Sequence, residues 1–212
     1  MQLNKVLQSD AIKFLNTFPD KSIDLFLTDI PYEKVNKKSN GLRILDKKDA
    51  NSKTFSTETF LKEVIRTTKG SGYIFCGKEQ VSQIYDFFAS KEITTRLIIW
   101  EKTNPSPMNS KYVWMSGIET CVYFKKPKST FNENYKNTVL RFPNGSSKIH
   151  PTEKPLKLFE YIINVSSNPG DLVVDPCVGS GTTAVAAKKL NRKYAVCDVS
   201  KKYINLTKNR LK

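Results

Sequence analysis

The chain has 212 residues, and its 35 Lys and Arg against 20 Asp and Glu give a formal net charge of +15. That length buries a core without disulfide or metal staples. A content of 39% hydrophobic and 11% aromatic residues excludes a solvated, disordered chain. No run of about 18 apolar residues is available for a membrane span, and residues 1–10 lack a signal-peptide core.

Cys76, Cys121, Cys177 and Cys197 are too widely spaced for paired metal ligation. Their apolar or tight-turn contexts read as reduced thiols in a cytosol, so the expected location is cytoplasmic. The basic excess points to a polyanionic partner, nucleic acid first. Of the 35 cations, 29 are Lys and six are Arg. Lys suits phosphates, whereas Arg supplies the planar fork that reads guanine edges, so the balance favours a grip on the backbone.

In chain order, short apolar runs predict strands over 3–7, 23–28, 72–76, 96–100, 119–124, 172–174 and 194–197. Apolar spacings of three and four predict helices over 11–18, 57–67, 81–90, 156–166, 182–190 and 203–211. Such alternation means a mostly parallel sheet covered on both faces. The strands at 96–100 and 119–124 have no helix between them, which predicts an antiparallel pair at one edge. Two stretches lack a core pattern. Residues 33–53 carry seven Lys or Arg and three acids, and 125–149 carry six cations and one acid. Residues 34–55 are expected to form a mobile basic loop, and 125–149 a short insertion, within one domain spanning 1–212. Lys37, Lys38, Arg43, Lys47, Lys48, Lys126, Lys128 and Arg141 are the candidate contacts to a polyanion.

The sharpest local signal is Leu172-Val-Val-Asp-Pro-Cys-Val-Gly-Ser-Gly-Thr-Thr183. A buried strand runs into a tight turn at Gly179 and Gly181 and then into a helix with small packing residues. Glycines there allow close approach of a ligand, and the helix start offers N–H groups. Asp198, at the end of the next strand, is placed to accept hydrogen bonds from ribose hydroxyls. No Lys follows Gly181 and the GxGxxG spacing is absent. The acid Asp175 closes the strand, where it repels a pyrophosphate and attracts a cation. A sulfonium or amino group fits that polarity, and S-adenosylmethionine carries both. A glycine turn that merely packs a helix onto a sheet is the bland reading.

Nearer the start, an apolar strand ends in Asp29, Ile30, Pro31 and Tyr32. Pro31 restricts Ile30 to extended dihedrals. The Ile30 carbonyl and Asp29 supply two acceptors beside the flat Tyr32 ring, which suits a planar substrate bearing an exocyclic NH2. Such an amino group is a poor nucleophile, and hydrogen bonds to both its protons help localise its lone pair.

With both segments present, the chain resembles the amino-methylating (N6-adenine or N4-cytosine) DNA methyltransferases, in the beta group whose catalytic motif precedes the cofactor motif. The catalytic Asp-Pro-Pro-Tyr is matched at Asp29, Pro31 and Tyr32, with Ile30 in place of the first Pro. The cofactor motif is matched at Asp175, Pro176 and from Gly179 through Ser180, Gly181 and Thr182 to Thr183, with Cys177 in place of Phe. The resemblance implies that Thr152 and Lys154, in His150-Pro-Thr-Glu-Lys-Pro155, lie near the methionine carboxylate, and that Asp10 contacts the cofactor's adenine. Trp100-Glu-Lys-Thr-Asn-Pro105 also resembles this group. It implies a Rossmann-like, circularly permuted fold of seven strands, one of them antiparallel. It also implies base flipping in double-stranded DNA, direct methyl displacement, and a target-recognition role for 125–149. Asp at position 29 is a family tendency of adenine enzymes. N4-cytosine methylation and a non-catalytic DNA-binding partner remain alternatives. A homodimer, or a separate specificity or restriction subunit, is the expected protein partner.

Overall fold

The computed structural model describes residues 3–31, 56–107, 111–145 and 153–212. The strands are β1 (Lys5–Gln8), β2 (Ile23–Asp29), β3 (Thr68–Cys76), β4 (Thr94–Lys102), β5 (Ile118–Lys125), β6 (Val139–Phe142), β7 (Leu172–Asp175) and β8 (Lys193–Asp198). The helices are α1 (Ala11–Leu15), α2 (Thr57–Thr67), α3 (Val81–Ala89), α4 (Leu156–Ser166), α5 (Thr182–Lys189) and α6 (Lys201–Arg210). All seven predicted strands and all six predicted helices appear among the described residues. Helix α1 is shorter than its apolar pattern, because the chain turns at Asn16 ahead of Pro19 and Thr17 Oγ1 donates to the Phe14 carbonyl.

Among the described residues the sheet has eight strands in the order β1-β8-β7-β2-β3-β5-β4-β6, one more than expected. The added strand, β6, arises inside 125–149, which the sequence presents as patternless. It pairs parallel to β4, Ile99 opposite Val139, and Trp100 Nε1 donates to the Phe142 carbonyl at 2.8 Å. Four residues, three of them half-exposed and Arg141 exposed, carry too little periodicity to be read alone; the free edge of β4 supplies their structure. The antiparallel pair is corrected likewise. Strand β5 runs antiparallel to both β3 and β4, so it lies inside the sheet rather than at its edge.

The central parallel strands β2, β3 and β7 are buried on both faces, as their near-continuous apolar runs require. Alternate residues serve opposite layers. Leu25, Tyr73, Phe75, Val173 and Val196 pack with Leu158, Phe159, Ile162 and Ala184 from α4 and α5. Phe26, Ile74, Val122, Phe124 and Val174 pack with Phe14, Phe60, Val64 and Phe88 from α1, α2 and α3. No helix among the described residues is long and apolar enough to cross a membrane. The basic segment 34–55 lies outside the described residues.

The path from β2 through α2 leads to β3 on one side, whereas β7 through α5 leads to β8 on the other. β2 and β7 are neighbours, so the winding direction reverses between them. In open α/β sheets ligands sit in the crevice at the strand carboxyl ends of such a reversal. Both sequence motifs leave the sheet there.

In this second layer, Gly72 on β3 faces Phe124, whose ring stacks on Phe88 with centroids 4.2 Å apart. A methyl group on Gly72 would fall 2.3 Å from the Phe124 ring. Gly72→Ala therefore lowers stability by about 1–3 kcal/mol, read as a fall in urea midpoint at unchanged m-value.

Candidate active site

The carboxyl end of β7 is organised by Asp175, which is 2% exposed. Its Oδ1 accepts from Thr28 Oγ1 at 2.7 Å and from the Cys177 N–H at 3.0 Å, while Oδ2 accepts from Thr183 Oγ1. One carboxylate thus ties β2, β7 and α5 together. Burial pushes it up to about 7, against the hydrogen bonds from Thr183, Thr28 and Cys177.

The following turn uses positive φ at Gly179 (51°) and Gly181 (91°). A methyl group on Gly181 would approach Thr207 to 2.8 Å, whereas one on Gly179 would meet nothing within 4 Å. The turn is held from several sides. Val178 N–H donates to the Cys197 carbonyl and Gly179 N–H to Asp198 Oδ2, at 2.9 and 3.0 Å. Arg210 on α6 donates to the Ser180 carbonyl at 2.7 Å and pairs with Glu153 at 2.6 Å. Asp198 also accepts from Ser200 N–H at 2.9 Å, and burial raises its carboxyl despite these bonds. Pro176 takes part through its carbonyl, which accepts from Cys197 Sγ. Asp10 follows β1, whose Gln8 is in register with Asp198, and it caps α1 by accepting from Ile12 and Lys13 N–H.

Asp29 ends β2 beside Phe75 of β3. Ile30, unlike the Pro common in this motif, has an N–H, and it donates to the Phe75 carbonyl at 3.1 Å. The ladder therefore continues one residue past Asp29, with the Ile30 side chain buried. The Pro31 carbonyl accepts from Gln80 Nε2 at 3.1 Å, and Gln80 Oε1 accepts from Gly77 N–H at 3.0 Å.

Lys154 joins the two motifs. Its Nζ lies 2.5 Å from Asp29 Oδ2 and 2.9 Å from Glu119 Oε2, and its carbonyl accepts from Thr182 Oγ1 at 3.4 Å. Lys102 Nζ closes the chain of charges at 2.8 Å from Glu119 Oε1. Burial would raise the Glu119 carboxyl, but Lys154 and Lys102 outweigh it and hold it below the usual range.

The structure thus brings Asp29, Ile30, Pro31, Lys154, Asp175 and the 176–182 turn to one crevice, with Asp198 and Asp10 at its β8 side. The described position of Lys154 is against Asp29 and Glu119. Arg141 lies on the same sheet edge, paired with Glu101 at 2.9 Å. Lys126 and Lys128 are not brought there. They follow the carboxyl end of antiparallel β5, beside the amino end of β3. Lys126 Nζ donates to the carbonyls of Ile65 and Thr68, both at 2.5 Å, and burial lowers its pKa. Tyr32, Lys37, Lys38, Arg43, Lys47, Lys48 and Thr152 lie outside the described residues. Glu119, Thr28, Gln80 and Arg210 escape sequence reading. An acid opening an otherwise apolar strand was the available signal for Glu119; Arg210 offers none.

Asp175 carries a pH signature. Its folded-state value of about 7 lies above the usual carboxylate 3.8, so the folded protein keeps a proton that the unfolded chain releases between about pH 4 and pH 7. Its contribution to stability is therefore lost as pH rises through that window. Urea titrations across it should show the wild type losing on the order of 3 kcal/mol relative to Asp175→Asn, with no further divergence above.

A family model described as DNA methylase matches residues 23–209. The Type II methyltransferase M.HinfI of Haemophilus influenzae is 32% identical over 251 residues, covering 99% of this chain and 68% of that one. The crystal structure of an M1.HpyAVI–SAM complex superposes with a TM-score of 0.74 at 28% identity, covering 97% of this chain and 98% of that one. The PvuII DNA methyltransferase, a cytosine-N4-specific enzyme, superposes with a TM-score of 0.76 over 98% of this chain and 86% of that one. At 20% identity it matches in fold alone. By the family match and the identity across nearly its whole length, the chain belongs to the DNA methylases, with the Rossmann-like fold of that family.

Proposed function

We propose that this DNA methyltransferase moves a methyl group from S-adenosylmethionine to the exocyclic N6 of an adenine flipped out of double-stranded DNA, and that its motif order is that of the circularly permuted beta group. The observation that carries the reading is the meeting of Asp29 with the glycine turn at the sheet's reversal point, with Lys154 bonded to both sides.

The turn fits a nucleoside cofactor. The side of Gly179 that a methyl group would fill is open, and the partly buried carboxylate of Asp198 stands beside it. Its oxygens accept backbone N–H groups, Oδ2 from Gly179 and Oδ1 from Ser200, and a carboxylate's four lone-pair sites leave acceptor capacity for a ribose hydroxyl. Asp10, Thr152 and the 176–182 segment complete the proposed pocket. S-adenosylmethionine, when bound, supplies an electrophilic methyl group on a sulfonium; M1.HpyAVI has been crystallised with SAM.

The chain's own residues do the rest by positioning. Lys154 fixes the Asp29 carboxylate so that it accepts a hydrogen bond from one N6 proton, and the ladder bond of the Ile30 N–H to Phe75 holds in place the residue whose own carbonyl accepts a hydrogen bond from the other. Tyr32 stacks on the flipped base, offsetting part of the lost stacking. Acceptors held in place before the reaction need no reorganisation as charge develops on the nitrogen.

Asp29→Ala should cut methyl transfer at least about a hundredfold while calorimetry still shows S-adenosylmethionine binding. Lys154 keeps Glu119 as a partner in that variant, so the fold survives. Mass spectrometry of nucleosides from methylated DNA should show N6-methyladenine; N4-methylcytosine would overturn the assignment of the base. Lys37, Lys38, Lys47 and Lys48 are proposed to neutralise phosphates. Replacing them with Gln should flatten the plot of log affinity against log salt by about 0.9 for each phosphate no longer neutralised and leave cofactor binding unchanged.

A further inference from the structure

The connection between β4 and β5 exposes a run of large apolar side chains. Trp114 is 98% exposed, Tyr112 83%, and Val113 and Met115 are also open to solvent. The base of this loop is fixed. Lys102 N–H donates to the Gly117 carbonyl at 2.7 Å, Gly117 N–H donates to the Met115 carbonyl at 2.9 Å, and Thr103 N–H donates to the Phe142 carbonyl at 3.3 Å. The core does not use these rings, so a tethered loop presents them outward. Contiguous exposed apolar side chains of this kind mark interaction sites.

Their position selects the occupant. Strand β5 runs antiparallel, so its first residue, Ile118, lies on the edge where β2 ends in Asp29. Glu119, the next residue, holds the ammonium that holds Asp29. The loop is therefore continuous with the catalytic crevice, and Lys111 precedes its two rings. A flipped nucleotide leaves a gap in the base stack that costs a few kcal/mol, and an aromatic side chain entering the stack recovers part of that cost.

We infer that Tyr112 and Trp114 form an aromatic wedge that contacts the opened base stack of duplex DNA beside the flipped nucleotide. This rests on the base-flipping methyltransferase reading above. The wedge acts by stacking, so it is indifferent to sequence and favours DNA in which a stacking gap already exists.

The chain has two tryptophans, and Trp100 is buried with its Nε1 bonded to the Phe142 carbonyl. Solvent-side emission therefore reports Trp114, and Trp100 serves as the check on folding. Titration of the full chain, with S-adenosylhomocysteine present, compares a mixed-sequence duplex with the same duplex carrying an abasic site. The abasic duplex should bind at least about fivefold more tightly and quench Trp114 more strongly. The double variant Tyr112→Ala, Trp114→Ala should lose that preference while keeping its affinity for the intact duplex within about twofold. A double variant that keeps the preference overturns the wedge. So does sedimentation showing a wild-type dimer that the double variant turns into a monomer, because the loop is then an interface between two copies. Transfer of labelled methyl groups to genomic DNA by the wild type separates the two claims. Its absence overturns the methyltransferase reading and the wedge with it, whereas transfer with an unchanged preference overturns the wedge alone.

Discussion

The site depends on one buried ammonium group. Lys154 is 7% exposed, and removing an unpaired charge from water costs several kcal/mol. Asp29 and Glu119 offset that cost, and Lys102 balances the second acid, so two acids and two bases form a locally neutral cluster. The backbone of the same lysine meets the start of α5 at Thr182. A segment with no secondary structure of its own thus sets the separation between Asp29 and the glycine turn. The 153–155 segment is bonded to Asp29 at the end of β2 and to Thr182 at the start of α5, so it bridges the crevice that the paired strands β2 and β7 present.

A second layer of buried polar bonds makes the crevice rigid. Thr28, Asp175 and Thr183 connect β2, β7 and α5 through a single carboxylate. Gln80 holds the Pro31 carbonyl from the turn after β3. None of these groups needs to touch a substrate. Their effect is to remove freedom from Asp29, the Ile30 peptide and the glycine turn, and fixing groups in advance lowers a barrier without new chemistry.

Much of this was legible in the sequence, for identifiable reasons. Strands buried on both faces read as unbroken apolar runs, and helices α2 and α4 have strong apolar periodicity, so both appear over the predicted residues. Asp29 and the glycine turn declare themselves because their residue types are unusual at strand ends. The signal fails where structure comes from a neighbour. Strand β6 exists because β4 has a free edge, and its four residues hold no pattern of their own. The partnership of Lys154 with Asp29 spans 125 positions, and no local spacing encodes it. Lys126 shows the reverse error, since a cation in a basic stretch turned out to satisfy the carbonyls at the end of α2.

The latch from α6 onto the glycine turn carries its own thermodynamic consequence. Arg210 grips the Ser180 carbonyl and Glu153, and Thr207 Oγ1 donates to the Gly179 carbonyl. The last helix and the turn are therefore one coupled unit. Linkage is reciprocal: whatever ligand settles the turn also protects α6 against fraying, and whatever frays α6 weakens the ligand by the same free energy. A helix remote from Asp29 in the sequence becomes a handle on the affinity of that turn.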